Sequence, residues 1–363
     1  MMIVLGIETS CDETAAAVLE QKGGRIQILS NVVASSASLQ AKYGGIIPEQ
    51  AAREQIKSII PVIETALNGS RITNHELDAI AVTYGPGLIG SLLVGVETAK
   101  TLAYVWNKPL IPVNHLIGHF YANWITSAHL RGETKVSPRS HLGGVPKFPC
   151  LGLLVSGGHT DLVLFHDHSK YTYLGGTRDD AAGECFDKCA RLLGLPYPGG
   201  PAISKLAKKG DPNKFKLPTP MKGIKGFDFS YSGLKTAVAN LLHTSEVKAR
   251  LQQDHTSEVK QDLAASIEET IANSLIDKVI LAAKKYKVEQ IMVAGGVAAN
   301  QKLVDRLQDT VNSMNPKISL HVPPAHLCTD NAAMIAAAAF FQKPINPPAG
   351  GPLSLQADPN LTL

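Results

Sequence analysis

His115 and His119, in the segment Val113-Asn114-His115-Leu116-Ile117-Gly118-His119, stand one helical turn apart. Residues four apart share a helix face, so both imidazoles can reach one ion. Two ligands alone do not make a metal site. The best third candidate lies far downstream, at Asp330 in Cys328-Thr329-Asp330-Asn331. If the chain brings Asp330 back to the histidines, it builds a two-His, one-carboxylate site with positions open for a substrate. On spacing alone, a pair with one buried and one exposed histidine is an equal alternative. A zincin protease would place Glu between its histidines as general base, and here Leu116, Ile117 and Gly118 stand there instead.

Three turns at strand ends offer a second kind of chemistry. Glu8-Thr9-Ser10-Cys11-Asp12-Glu13-Thr14 is rich in hydroxyls and carboxylates. Val155-Ser156-Gly157-Gly158-His159-Thr160 and Ala294-Gly295-Gly296-Val297-Ala298-Ala299-Asn300 are rich in small residues. Where no Cβ intervenes, backbone N–H groups can approach a phosphate closely. Each turn alone is more often a plain turn, but three together fit a nucleotide held between two lobes. No P-loop is present, nor a Gly-x-Gly-x-x-Gly following a strand. Asp12 and Glu13 are candidates for proton transfer, with a solvated turn as the equal alternative.

These residues need elements to position them. Apolar runs predict strands at 3–8, 15–19, 78–83, 151–155, 161–165 and 290–294. Helical patterns fall at 49–66, 92–106, 181–193, 261–286 and 332–341. Strands and hairpins followed by helices, then the same again, suggest two α/β lobes of similar construction. The expected division is an N-terminal lobe over 1–125 with the first phosphate turn and the histidines, and a surface loop over 126–149. A C-terminal lobe over 150–328, a metal-ligand segment and helix over 329–343, and a mobile tail over 344–363 complete it. His243-Thr244-Ser245-Glu246-Val247-Lys248 recurs once, as residues 255–260, which reads as a local duplication and not a solenoid.

Composition narrows the class. The chain has 363 residues, 44% hydrophobic and 18% charged, as expected of a soluble globular protein. No run approaches a membrane span, and the N-terminus has no cleavable signal. Five cysteines, an odd and sparse set, suggest a reducing cytoplasm. The net charge of +4 permits a polyanionic partner without demanding one. Basic residues cluster at Arg131, Lys135, Arg139 and Lys147, and again at Lys205, Lys208, Lys209, Lys214, Lys216, Lys222 and Lys225.

The quoted motifs resemble the TsaD family. These are the tRNA N6-adenosine threonylcarbamoyltransferases, formerly called O-sialoglycoprotein endopeptidases or glycoproteases, and Asn-His-Leu-Ile-Gly-His is similar to the bacterial branch. The resemblance runs from residue 3 to about residue 341, and extends to Tyr84-Gly85-Pro86-Gly87 and Ser230-Tyr231-Ser232-Gly233-Leu234-Lys235. It implies a two-lobed actin/Hsp70-like (ASKHA) nucleotide-binding α/β fold with a cleft between the lobes. It implies transfer of the threonylcarbamoyl group of threonylcarbamoyl-AMP to N6 of adenosine 37, in tRNAs reading codons that begin with A. His115, His119 and Asp330 would hold one metal ion per subunit, iron or alternatively zinc. Leu154, Val155, Ser156, Gly157, Gly158, Asp187, Gly200 and Asn300 would contact the adenylate. Its partners would be a paralogous subunit, TsaB, and an ATPase, TsaE, with TsaC supplying the adenylate. An actin-like small-molecule kinase, a metalloprotease and a non-enzymatic ATP-dependent module are the rival readings.

Overall fold

The computed structural model describes residues 1–36, 40, 45, 47–127, 144–245, 247, 256–314, 318–346 and 351–363. Contacts divide the chain into two units, Met1–Pro146 with His321–Leu363, and Lys147–Leu320. The first unit opens with β1 (Met2–Glu8), β2 (Glu13–Lys22), β3 (Arg25–Ser35), α1 (Pro48–Ser70), β4 (Ala79–Gly85) and α2 (Ile89–Trp106). It continues through β5 (Leu110–Asn114), α3 (His115–Tyr121) and β6 (Ile125–Ser127). The second unit holds β7 (Cys150–Val155), β8 (Thr160–Asp167), β9 (Lys170–Gly176), α4 (Ala182–Leu192), α5 (Gly199–Ala207) and α6 (Ser232–Leu242). It ends with α7 (Thr256–Tyr286), β10 (Gln290–Ala294), α8 (Gln301–Met314) and β11 (Ser319–His321). The chain then returns to the first unit for α9 (Ala325–Cys328) and α10 (Ala332–Ala339).

Both sheets follow one plan. The first has the order β5-β4-β1-β2-β3-β6, the second β11-β10-β7-β8-β9. In each, the opening strand pairs antiparallel with its hairpin partner and parallel with a later strand. β1 and β7 are central and buried along nearly their whole length, which explains their continuous apolar sequences. β3 was not anticipated, because its polar positions Gln27, Ser30 and Asn31 interrupt the apolar alternation.

Two expectations about boundaries need correction. The chain re-enters the first unit at His321, ahead of the expected boundary at 329. The tail expected to be mobile is docked on the first unit. Ile345 bridges Leu110 on the edge strand β5, Leu355 is buried in the core, and the Asp358 N–H donates to the Tyr84 carbonyl at 2.7 Å. An edge strand leaves backbone groups unpaired, and this segment satisfies some of them. Most of the 126–149 loop lies outside the described residues, as do Glu246 and Lys248 of the first repeat copy; the second copy opens α7. Among the described residues, no helix is long and apolar enough to cross a membrane.

Candidate active site

α3 follows β5 without a linker, so His115 is the first residue of the helix. Asn114 caps it, its Oδ1 accepting from the N–H groups of Leu116 (2.8 Å) and Ile117 (3.3 Å). The carboxylate arrives on the loop before α10. Asn331 holds that loop, its amide nitrogen donating to the carbonyls of Leu327 and Thr329 and its oxygen capping α10 at Met334.

Close helix packing makes this meeting possible. α10 is buried throughout, with the sequence Ala-Ala-Met-Ile-Ala-Ala-Ala-Ala, and packs on α3 and β1. A Cβ at Gly118 would come within 2.7 Å of Ile335 Cδ1, and one at Gly6 within 2.5 Å of the Ala332 carbonyl oxygen. Gly6, which meets backbone, is therefore required by close approach, while Gly118 leaves room only for the flexible end of Ile335.

His119 Nε2 lies 3.2 Å from Asp330 Oδ1, and His115 Nε2 lies 3.6 Å from the same atom. Donor atoms of the three residues all fall within 4.8 Å of one another. A tetrahedral ion with bonds of about 2.0 Å spaces its donors by ~3.3 Å, and the two distances bracket that value. His119 is 1% exposed; its Nδ1 has no hydrogen-bond partner, and its Nε2 faces only the Asp330 carboxylate. A buried polar nitrogen left without a partner is costly. The donor set thus fits one metal ion.

Behind His115 stands a residue the sequence reading passed over. Glu8, 1% exposed, ends β1 and lies 3.2 Å from His115 Nδ1. It also accepts from the Ser10 N–H and the Thr83 hydroxyl. A carboxylate on the far nitrogen of a ligand histidine fixes its tautomer and orientation. Burial opposes the Glu8 charge, but the His115 ring and the Ser10 bond hold its carboxyl below the usual range. Burial likewise works against charge on His115, yet Glu8 and Asp330 push it up to about 9. Burial lowers His119. Only the place of Glu8 in Ile7-Glu8-Thr9-Ser10 pointed to it: a carboxylate closing an otherwise apolar strand.

The first turn is tied down by its own neighbours. Its Ser10 N–H is spent on Glu8, and Gln55 of α1 takes the carbonyls of Thr9, Cys11 and Glu13. Asp12 is buried, and Glu13, half-buried, is pushed up to about 9 by burial and by its hydrogen bond to Asp12. Burial and the charges of Asp330 and Asp12 raise the Cys11 thiol, so it is no nucleophile.

The second unit carries the other group of candidates. Leu154 and Val155 lie in the sheet with fully buried side chains, so only Ser156, Gly157 and Gly158 are open to a ligand. Ser156 closes the turn through its N–H to the His159 carbonyl, and its hydroxyl accepts from His159 N. A Cβ at Gly157 or Gly158 would meet nothing within 4 Å. α4 starts against this turn, with Gly183 N donating to the Ser156 carbonyl at 3.2 Å. Exposed glycine amides beside a helix N-terminus suit an anion.

Asp187 and Gly200 are brought together, but as partners of each other: the Asp187 side chain takes backbone N–H groups. Asp187 Oδ1 accepts from Gly199 N at 2.7 Å, and Gly200 N also bonds this carboxylate. Burial nonetheless raises the Asp187 carboxyl. Asn300 is also engaged: its amide nitrogen donates to Ser204 Oγ (3.0 Å) and Glu268 Oε1 (2.8 Å), and its oxygen accepts from Leu303 N. Both Nδ2 donors are used, so this side chain has no N–H left for a ligand. Glu268 and Ser204 were not anticipated, because they sit within ordinary helical patterns.

The family model described as TsaD, tRNA N6-adenosine threonylcarbamoyltransferase, matches residues 27–337. The chain belongs to this family. Membership makes it a transferase that modifies tRNA. A relative of that name from Thermomicrobium roseum is 49% identical, over 94% of this chain and 92% of its own length. Another from Geobacillus kaustophilus is 46% identical, over 99% and 96%. Full-length HypF in its phosphate- and nucleotide-bound form is similar in fold alone, at 12% identity and a TM-score of 0.54 over 94% of this chain and 46% of that one.

Proposed function

We propose that this transferase moves the threonylcarbamoyl group of threonylcarbamoyl-AMP to N6 of adenosine 37, in tRNAs reading codons that begin with A. The observation that carries the reading is the His119–Asp330–His115 cluster, backed by Glu8 and bordered by the Asp12–Glu13 pair. His115, His119 and Asp330 would hold one ion, iron with zinc as the alternative. Such an ion supplies Lewis-acid polarisation of the carbonyl or an anchor for the phosphate.

The donor group arrives activated, so no enzyme nucleophile is required. As the new C–N bond forms, N6 loses a proton and AMP departs. Asp12 and Glu13 are the proton-handling pair, joined by a hydrogen bond and within electrostatic reach of Asp330. The amides of Gly157 and Gly158 hold the phosphate, and Ser156 shapes their turn. Asp187 and Asn300 act by fixing the α5 and α8 termini that frame the nucleoside. The strand order repeated in both units, and the HypF likeness, support an actin/Hsp70-like lobe for each.

The partners are tRNA, a TsaB-type paralogue, a TsaE-type ATPase and TsaC as source of the adenylate, with cytoplasm as the compartment. In support, Ile56 and Ile60 of α1 and Ile89 and Leu93 of α2 are exposed apolar residues. All seven lysines from Lys205 to Lys225 are exposed as well. Arg131, Lys135 and Arg139 lie outside the described residues, while Lys147 is exposed. A metalloprotease reading lacks its general base, since Leu116, Ile117 and Gly118 are buried and inert. The test supplies threonylcarbamoyl-AMP labelled in threonine, with tRNA, a peptide and free nucleosides as competing acceptors. Label at adenosine 37 is expected; label on the peptide or nucleosides alone overturns the reading.

A further inference from the structure

The segment Tyr84-Gly85-Pro86-Gly87 has no place in the chemistry above, yet it is where the C-terminus docks. The Asp358 N–H donates to the Tyr84 carbonyl at 2.7 Å, and the Gly87 N–H to the Pro359 carbonyl at 3.4 Å. A Cβ at Gly85 would overlap the Asp358 carbonyl oxygen, so glycine is needed there for the tail to lie down. Further along, the Thr362 carbonyl accepts from Asn114 Nδ2 at 3.0 Å. Leu355 in the core and Ile345 on β5 anchor the segment upstream.

These contacts lead to the metal ligands by two routes. Asn114 is the cap of α3, so one amide group ties the Thr362 carbonyl to the first turn that carries His115. The second route runs through the turn after β4. Leu88 N donates to the Ser10 carbonyl at 2.8 Å, and Ser10 Oγ lies 3.1 Å from His115 Nδ1. α3 spans only 7 residues, and a helix that short is not stable by itself. Its position depends on its cap and its packing.

We propose that Asp358–Leu363 is a C-terminal strap that positions α3 and the Ser10 turn, and so holds His115 and His119 in ligand geometry. The consequence for metal rests on the site assignment made above; the consequence for α3 does not. The strap is a positioning element and touches no reacting atom.

Three full-length-background variants test it: deletion of 358–363, Asn114→Ser, and Gly85→Ala. Serine keeps an oxygen to cap α3 but is too short to reach the Thr362 carbonyl. Hydrogen exchange of the α3 amides is measured on metal-free protein, and zinc affinity by competition with a chelator. The deletion is expected to speed α3 exchange about tenfold and to weaken zinc about tenfold, the lower end for loss of a group that orients ligands. Asn114→Ser and Gly85→Ala should act in the same direction, and Asn114→Ser should add little to the deletion, since both break one contact.

Unchanged α3 exchange in the deletion overturns the strap, as does faster exchange with unchanged zinc affinity. If the deletion does not fold, the half-buried Asn114→Ser variant decides by the same two readouts. A parent chain that binds no zinc or iron overturns the metal assignment instead, and the exchange measurement still decides whether the strap holds α3.

Discussion

The β1–β2 turn and the β7–β8 turn occupy the same place in two sheets of the same strand order, yet they offer opposite chemistry. The first is lined with carboxyl groups, fastened by Gln55, and largely buried. The second exposes two glycines with open space around them. One topology thus presents carboxyl groups in the first unit and open glycine amides in the second. Strand order places a turn; the side chains at that turn decide the sign of charge it welcomes.

The comparison can be broken most sharply at the histidines. His115→Ala with His119→Ala is expected to abolish stoichiometric metal by elemental analysis, while AMP binding at the glycine turn survives. Retained stoichiometric metal would refute the assignment. Glu8→Gln is a subtler cut, removing charge behind His115 and keeping its shape. It should weaken metal affinity by about 10- to 100-fold, as losing an orienting partner does, and an unchanged chelator titration would remove Glu8 from the site.

On the anionic side, Gly157→Val should weaken nucleotide binding about tenfold, equal to ~1.4 kcal/mol. Because a Cβ at Gly157 meets nothing in the protein, melting temperature should hold. Equal affinity by calorimetry would move the phosphate elsewhere. The smallest effect belongs to the surface. Charge reversal at Lys205, Lys208 and Lys209 should lower tRNA modification a few-fold and flatten its dependence on salt. Equal loss of adenylate binding would show that these lysines act through folding.

What could be seen beforehand divides by the range of the interaction. The strands around Glu8, Thr83 and Val155 were visible as apolar runs, because local burial imposes its own period. The histidine pair was visible because helical spacing is local. Asp330 was reachable as a guess about fold-back. The tail was misjudged: its prolines and short apolar stretches look unstructured until the edge of β5 and the carbonyl of Tyr84 are there to receive them. Asn300 was expected to face a ligand, and instead its amide is used up by Ser204 and Glu268.

The sequence by itself determined the chemical vocabulary: two imidazoles on one helix face, an acidic turn, glycine turns and a family likeness carried by several motifs. Those features depend on residue type and short spacing. The tertiary structure alone decided that Asp330 meets both histidines, that Glu8 backs one of them, and that the C-terminus straps the helix bearing them. Each of these joins residues far apart along the chain. They meet because α10 lies close over Gly6 and Gly118, a contact set by three-dimensional packing density and not by any local period.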